Sequence, residues 1–588
     1  MIVRAFVILG LLSTAGARAG NESSPLGEPA LEAPTLHCLG AYWIIKGDDN
    51  RNAKVEVSYR KAGTPEWHKG APLFRVEKDH QNGAVTREKH KSQLSVPPDA
   101  WLFAGSIVEL VPGTDYEIRL SLSDPDGGTG ERTLKSRTRE EPIAPKGAPV
   151  RHVVPGSGGG SGSESDPFKG LAAAQNAARP GDILLLHAGT YDGPFTFNKS
   201  GEPGKPIIWR GAGDGAAIID GKQLKLEEMK GAIVELGNTH DVWLENVAIR
   251  NGYNLIRAHG ASRLVVRRCH FSNGICGIFA VGTESVQRDF FISDNLMEGF
   301  MPWPCTPEQY GASPESRAVW INGTGHVVCY NRIHHFKDGP DVGVGPVCAA
   351  IDFHNNDISE CFDDGAEMDF SERNTRCFNN RITNVFQGIS VQPVFGGPVY
   401  VFRNVLYNVQ VETFKMHSVP SGAIMYHNTA LRTEQPLLLS TGDKCYNCVF
   451  RNNLFVGTSG RAFHNDAPMV NCDFDYNGYA GWSGDVFYKW NNIKYATLDE
   501  LKAKAPVDKH ALSLDAATLF EAGTKAPGDN KKIYASSVVD VRLKQGTPAI
   551  DAGEVLPGFN DGFTGKAPDL GAIEYGTAAP HYGPRPQK

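Results

Sequence analysis

The stretch Ile351–Leu406, "IDFHNNDISECFDDGAEMDFSERNTRCFNNRITNVFQGISVQPVFGGPVYVFRNVL", decides the fold because one short pattern recurs in it at a fixed interval. In each copy an asparagine follows a short run of alternating apolar residues and precedes another apolar residue. The same pattern continues on both sides, at Asn331, Asn356, Asn380, Asn404, Asn428, Asn453 and Asn477, with spacings of 25, 24, 24, 24, 25 and 24 residues. A repeat of this length, made only of short strands and turns, matches one coil of a parallel β-helix.

The asparagine column predicts a ladder of side chains at a tight turn. Asparagine tolerates left-handed turn conformations, and its amide can hydrogen-bond to the same amide one coil away. An alternating β-sandwich would not keep this phase over six intervals. Earlier coils centre near Asn246, Cys269 and Asn295, and the 36-residue gap from Asn295 to Asn331 predicts an inserted loop around Pro302–Ser316.

The first nineteen residues read as a cleavable signal peptide. Arg4 precedes an apolar run that is too short to span a bilayer, and Ala17-Arg18-Ala19 has the form of a cleavage site. We therefore expect a secreted or periplasmic protein with no membrane partner. The formal charge of -7 and the scattered basic residues argue against a nucleic-acid partner, and we expect a monomer.

Residues 33–140 predict a small β-sandwich ahead of the repeats. Short alternating runs such as Val55–Tyr59 are separated by Gly, Pro and Asp turns. The stretch Leu110–Gly127 resembles the turn and following strand of a fibronectin type III domain, with Tyr116 in the corner position. The resemblance implies a spacer or carbohydrate-adjacent module without catalytic residues.

The segments that flank the repeats resemble the pectate-lyase-like superfamily. "ARPGDILLLHAGTYDG" is similar to its first coils, and "TPAIDAG…APDLGAIEYG" is similar to the closing segment of many secreted bacterial β-helix proteins. We therefore predict an all-β chain, with a right-handed parallel β-helix over 150–480 and a closing segment over 481–588.

One face of the predicted helix concentrates charged side chains. In a β-helix, equivalent positions of successive coils stack about 4.8 Å apart, so a site is built from motifs one period apart. Counting back from the ladder, Lys415 and Glu367 stand 13 residues before their asparagines, with Ser390 near that column. The side chains that we expect on or beside this face are Asp338, Asp341, Asp363, Asp364, Glu367, Asp369, Gln392, Lys415 and His417.

The acidic run "DDGAE" resembles the D-D-G-x-D motif of family 9 pectate lyases, which share this fold. The resemblance implies a Ca²⁺ site made of Asp338, Asp341, Asp363, Asp364 and Glu367, with Lys415 of "TFKMH" as the catalytic base. An additional coil, "GISVQPVFGGP", separates the acidic motif from the lysine. It predicts a separation of roughly 10 Å instead of 5.

These observations favour an enzyme that cleaves an extracellular, uronate-containing polysaccharide by β-elimination. The catalytic residues would be Lys415, His417, Asp369 and Arg373, and the substrate-binding residues Gln392, Arg376, Trp303 and Tyr400. The lysine would need a pKa lowered by the cation or by burial. Two alternatives stay open: a glycoside hydrolase that uses an Asp/Glu pair on the same fold, and a carbohydrate-binding β-helix without catalysis, with C5-epimerases as a further possibility.

Overall fold

The computed structural model describes residues 20–78, 92–223, 231–439, 444–465 and 467–586. The signal peptide predicted over 1–19 lies outside the described residues. The fold class is the predicted one: an all-β chain in which a parallel β-helix of about 12 turns follows small N-terminal sheets. Within the described residues no helix is long and apolar enough to cross a membrane.

The N-terminal region is a sandwich of two antiparallel sheets around one apolar core. One sheet contains Ser24–Pro25, Ala30–Leu31, Leu39–Lys46, Phe74–Arg75 and Ala100–Ile107, and the other contains Lys54–Lys61, His68–Gly70, Asp115–Ser123 and Thr129–Arg137. The hydroxyl of Tyr116 accepts a hydrogen bond from the Val111 amide at 3.0 Å, as a tyrosine corner does. Kinship with fibronectin type III domains stays a prediction.

The β-helix is built on two long parallel sheets that run along its axis. The first, which we call the docked sheet, has sixteen described strands: Val150–Val154, Phe168–Lys169, Ile183–Leu186, Ile207–Gly211, Val242–Glu245, Val265–Arg267, Phe291–Ser293, Val327–Cys329, Asp352–His354, Thr375–Phe378, Phe395–Phe402, Ser421–Tyr426, Cys445–Tyr446, Val449–Arg451, Met469–Val470 and Asp473–Asp475.

The second, which we call the site sheet, has eighteen described strands: Gly189–Asp192, Phe195–Thr196, Ala217–Asp220, Ala232–Glu235, Ala248–Arg257, His270–Ala280, Leu296–Glu298, Arg317–Ile321, Arg332–His334, Asp338–Val342, Asp357–Glu367, Arg381–Ser390, Val405–Val409, Phe414–Lys415, Thr429–Leu431, Leu454–Val456, Gly478–Ala480 and Leu512–Leu514. Smaller sheets contain Gly323–Thr324, Cys348–Ala349, Leu437–Leu438, Phe463–His464, Tyr488–Trp490 and Ile493–Tyr495. The described helices are Leu171–Ala177, Pro307–Ala312, Leu498–Lys504 and the 3-10 turn Ser536–Val538.

The predicted asparagine ladder is present and fully buried. From Asn295 to Asn477, each Nδ2 donates to the Oδ1 of the next asparagine at 2.8 to 3.0 Å. The ladder ends on the carboxylate of Asp508, which accepts from Asn477 at 3.0 Å. One expectation is corrected: the left-handed residue is the one before each ladder asparagine, for example Asn379 at φ 52. Asparagine is therefore selected here for its side-chain hydrogen bonds.

The sandwich packs on the outer face of the docked sheet. Cys38 and Val108 of the N-terminal region share an apolar cluster with Phe378, Tyr400 and Phe402. Because this contact covers one face of the helix, a groove for a large ligand must lie elsewhere.

The last part of the chain returns along the helix. After the strand Leu512–Leu514, residues 515–586, which we call the return segment, run back towards the N-terminal coils. The backbone of Tyr534 exchanges two hydrogen bonds with the Asn384 side chain, and Arg585 pairs with Asp294 at 2.6 Å and with Glu141 at 2.7 Å. All eleven cysteines are free thiols.

Candidate active site

The site lies on the site sheet, where strand register stacks outward residues into one column. Trp320, Asp341, Glu367, Ser390 and Lys415 are partners on five successive strands. The predicted column of Glu367, Ser390 and Lys415 is thus confirmed. Met368 and Met416, which follow Glu367 and Lys415, point into the core, so the column faces outward.

Lys415 reaches the acidic motif although it stands two strands away. Its Nζ lies 2.6 Å from Asp364 Oδ2 and 3.9 Å from Glu367 Oε1. Ser390 occupies the strand between them, and its short side chain leaves room for the lysine to extend across. The predicted extra coil is present. A separation of roughly 10 Å describes backbones that lie two coils apart. The ammonium group comes much closer to the acidic motif, because the lysine side chain is long enough to span about one coil spacing.

A β-bulge brings two consecutive aspartates to the same ammonium. The register between Asp357–Glu367 and Arg381–Ser390 shifts between Cys361 and Asp364. A bulge breaks the alternation of faces, so Asp363 also approaches the lysine, at 3.8 Å. The other oxygen of Asp363 accepts from Gln387 Nε2 at 2.7 Å.

Three carboxylates form the arrangement best suited to a metal ion. Oxygens of Asp338, Asp364 and Glu367 all lie within 4.8 Å of one another. Asp364 is fully buried, and its Oδ1 has no hydrogen-bond partner among the described residues. A buried oxygen without a donor, beside two further carboxylates, fits a hard cation such as Ca²⁺.

The other two predicted ligands are engaged differently. Asp341 pairs with the guanidinium of Arg317, and Asp363 with Gln387 and Lys415. They stand beside the group of Asp338, Asp364 and Glu367, and the five-residue ligand set stays a prediction.

Sequence reasoning missed Arg317. Its guanidinium pairs with Asp341 and lies 3.7 Å from Asp338 and 3.8 Å from Glu367. Glu315, at the end of the inserted loop, binds Arg317 at 2.9 Å and Lys337 at 2.8 Å. Arg317 stands three positions before the column residue Trp320 and is the strand partner of Asp338, and the long inserted loop just before it hid this register from a count along the ladder.

Burial and mutual repulsion alter the protonation of the cluster. Burial, with repulsion from Asp341, raises the pKa of Glu367 to about 8, and burial raises the pKa of Asp341 to about 7 despite Arg317. Burial likewise holds the pKa values of Asp338 and Asp364 well above their usual range. Perturbed carboxylates gathered on one face are typical of functional sites.

The lysine departs from its expected protonation. Burial by itself lowers the pKa of Lys415, but the attraction of Asp364, Asp363 and Glu367 outweighs it and holds the pKa well above the usual value. The expected lowering is therefore not found for the protein without a cation.

Of the remaining predicted site residues, some lie on or near the site face and three contact the N-terminal region. Asp369 follows Glu367 and Met368 on the site face and accepts from Ser390 Oγ at 2.7 Å and from the Gln392 amide at 2.6 Å. His417 follows Lys415 by two residues and is partly exposed. Trp303 is mostly buried in the inserted loop, whose Met301 and Cys305 pack against Phe362, the neighbour of Asp363.

Three predicted site residues contact the N-terminal region instead of a groove. Arg373 pairs with Glu32 at 2.6 Å, Arg376 donates to Ser106 Oγ at 3.0 Å, and the Tyr400 hydroxyl accepts from the Ser106 amide at 3.1 Å. All three side chains are buried. Their assignment to catalysis or substrate binding is wrong, because the docked sandwich covers them.

In comparisons with known proteins, the chain is similar to pectate lyases over short segments. It is 38% identical to pectate lyase L of Dickeya chrysanthemi over 80 residues, which is 12% of this chain and 19% of that protein. It is 27% identical to the uncharacterized protein YwoF of Bacillus subtilis over 96 residues, 16% of this chain and 20% of that protein. The chain thus matches about a fifth of the length of these curated relatives.

Among solved structures, pectate lyase Pel9A aligns with a TM-score of 0.42 at 19% identity, covering 72% of this chain and 96% of that one. No protein-family model matches the chain.

Proposed function

We propose that this protein is an exported polysaccharide lyase that cleaves a uronate-containing chain by Ca²⁺-assisted β-elimination. The observation that carries the proposal is the contact of Lys415 Nζ with Asp364, at the edge of the group formed by Asp338, Asp364 and Glu367. A potential base and a set of oxygen ligands for a hard cation stand together on one outward face. The similarity to pectate lyase L over 80 residues supports the same reaction class.

In this reaction the base removes the proton at C5 of the uronate, and the C4–oxygen bond breaks to leave a double bond between C4 and C5. We assign the proton removal to Lys415 Nζ and proton delivery to the leaving oxygen to His417, two residues further on. Asp369, held by hydrogen bonds from Ser390 Oγ and the Gln392 amide, would add negative charge near Lys415. Gln392 and Trp303 remain the proposed substrate contacts.

Asp338, Asp364 and Glu367 would hold the cation. When bound, Ca²⁺ would neutralise part of the carboxylate charge, bind the uronate carboxylate and acidify the C5 proton. Without a bound cation, the carboxylates hold the lysine protonated. Their negative charge must therefore be offset before Nζ can accept a proton. Arg317 pairs with Asp341 and also lies 3.7 Å from Asp338 and 3.8 Å from Glu367, so it would share the charge of two of the three ligands with the cation.

A glycoside hydrolase is the second candidate, favoured by the hydrogen-bonded pair of Asp341 and Glu367. The pKa of Asp341 is raised to about 7 and that of Glu367 to about 8, chiefly by burial, so one can carry a proton while the other is ionised. Hydrolysis needs an acid and a base on the two sides of the glycosidic bond, about 5 Å or more apart, so this pair would have to open around a bound substrate. It would give reducing ends without an unsaturated uronate.

The test is an assay of the purified protein on polygalacturonate, rhamnogalacturonan and alginate. We expect ultraviolet-absorbing unsaturated ends, loss of this product on chelation and recovery with Ca²⁺. Lys415→Ala should abolish the product, and so should Lys415→Arg, because arginine keeps the ion pairs but does not release its proton near neutral pH. Full activity of Lys415→Arg would show that the lysine is not the base, and reducing ends without absorbance would favour the hydrolase.

A further inference from the structure

A cleft of about 620 Å³ opens on the docked sheet, the long sheet that does not carry the acidic centre. Three successive strands contribute Arg210, Glu245 and Arg267 to it as register partners. The segment that leaves the sandwich adds Glu141, and the return segment adds Arg585. The cleft is therefore assembled from three separate parts of the chain.

The cleft carries an excess of positive charge. Its described lining residues include four arginines, and three of these are paired with carboxylates. Glu245 accepts hydrogen bonds from Arg210 at 2.5 Å and from Arg267 at 2.7 Å, and Arg585 is paired with two further carboxylates. Four guanidinium groups thus stand against three carboxylates, which leaves one positive charge to be balanced.

The fourth arginine, Arg268, has an orphaned donor. It follows Arg267 at the turn with a left-handed backbone, at φ 54, and it lines the cleft. Its Nε is buried and has no hydrogen-bond partner among the described residues. Buried polar groups nearly always have a partner, so a buried donor without one at the wall of a cleft indicates an acceptor that comes from a ligand.

Small residues keep space open in front of the arginines. Gly211, Ala212 and Gly213 form one stretch of the lining, and a Cβ atom added at Gly213 would meet nothing within 4 Å. Small-molecule sites have volumes of about 300–1,000 Å³, so this cleft has room for a short saccharide.

We propose that this cleft binds an acidic sugar, whose carboxylate accepts hydrogen bonds from Arg268. The planar guanidinium group matches the two oxygens of a carboxylate. The inference rests on the proposed function in one respect: the uronate-containing polysaccharide is the source of the carboxylate. Because arginine supplies the positive charge, binding here needs no cation. A segment held on the docked sheet would tether the protein to the polysaccharide while another segment reacts on the site sheet.

The experiment is isothermal titration calorimetry with trigalacturonate, in the Lys415→Arg background and with chelator, so that the probe is not cleaved. Arg268→Asn removes the guanidinium group and introduces a residue that tolerates a left-handed backbone. We expect its affinity to be about tenfold weaker, equivalent to about 1.4 kcal/mol. Maltotriose, a neutral trisaccharide, and inorganic sulfate should both bind more weakly than trigalacturonate.

Arg263→Asn is the matched control. Arg263 also has a left-handed backbone, at φ 49, but it pairs with Asp241 at 2.8 Å and does not line the cleft. The substitution removes the same charge from the protein, so it measures the effect of net charge alone, and it should leave the affinity for trigalacturonate unchanged. Circular dichroism spectra and melting curves establish that each variant is folded.

Four outcomes would overturn the proposal: no binding of trigalacturonate, unchanged affinity of folded Arg268→Asn, equal weakening by Arg263→Asn, or binding of maltotriose or sulfate as tight as that of trigalacturonate. Tight sulfate binding would assign the cleft to a free oxyanion. The outcomes also separate this proposal from the lyase. Binding that depends on Arg268, without unsaturated products from the wild-type protein, would refute the lyase and retain the cleft. Unsaturated products together with binding that is independent of Arg268 would refute the cleft.

Discussion

Replacing Asn380 by alanine should destabilise the β-helix by about 4 kcal/mol. The Asn380 side chain makes four strong hydrogen bonds: Nδ2 donates to Phe353 O at 2.9 Å and Asn404 Oδ1 at 3.0 Å, and Oδ1 accepts from the amide and the Nδ2 of Asn356 at 3.0 and 2.9 Å. A net value of about 1 kcal/mol for each buried bond gives the total, and stranded buried donors add to it.

The neighbouring Asn379 is a matched control of the same residue type. It is partly exposed and has a left-handed backbone at φ 52, so Asn379→Ala loses no ladder bond and should cost about 1 kcal/mol from backbone strain. Urea denaturation followed by circular dichroism measures both variants. Equal destabilisation by the two substitutions would refute the idea that the side-chain ladder, and not the turn conformation, selects asparagine.

Three further predictions concern the site and the return segment. Ca²⁺ should raise the Tm of the wild-type protein but not of Asp364→Asn. At a Ca²⁺ concentration a hundredfold above Kd, the free energy of unfolding should rise by about 2.7 kcal/mol. An equal rise in both proteins would exclude Asp364 as a ligand. Ser390→Leu should lower the lyase rate at least about tenfold in a folded protein, because the larger side chain blocks the extension of Lys415. The control Ser272→Leu, on the same sheet, should not lower the rate. A Ser390→Leu rate equal to wild type would contradict the proposed reach of the lysine. Burial lowers the pKa of His427 from 6.5 to about 3, so the folded state binds fewer protons than the unfolded state, and stability should fall as the pH drops from 6.5 towards 3. His427→Asn should show a flatter pH dependence of urea stability, and a dependence as steep as that of wild type would assign the loss to other groups.

Much of the fold is readable from sequence because one side chain per coil carries the repeat. Asn380 and its equivalents are constrained by bonds to both neighbouring coils, so the spacing survives in the sequence. The acidic motif is readable for the same reason, since Glu367 keeps its phase relative to the ladder.

The rest of the site depends on side-chain distances that the position of a residue within the repeat does not reveal. The reach of Lys415 across Ser390 is a property of side-chain length, and the double approach of Asp363 and Asp364 follows from a bulge. Arg376 and Tyr400 have suitable chemistry for a sugar site, but the sandwich that buries them is remote in sequence. Repeat counting places a residue on a coil without revealing what covers that coil.

The return segment has a consequence for how the helix gains its stability. A stack of coils in which each contacts only its neighbours can fray from either end, one coil at a time. Here Arg585 is tied to Asp294 and Glu141, and the ring of His427 is held by Asn560 at 2.9 Å. Opening a middle coil must therefore also release contacts made by the last residues of the chain. The return segment thus converts a linear array of coils into a unit that should unfold with greater cooperativity.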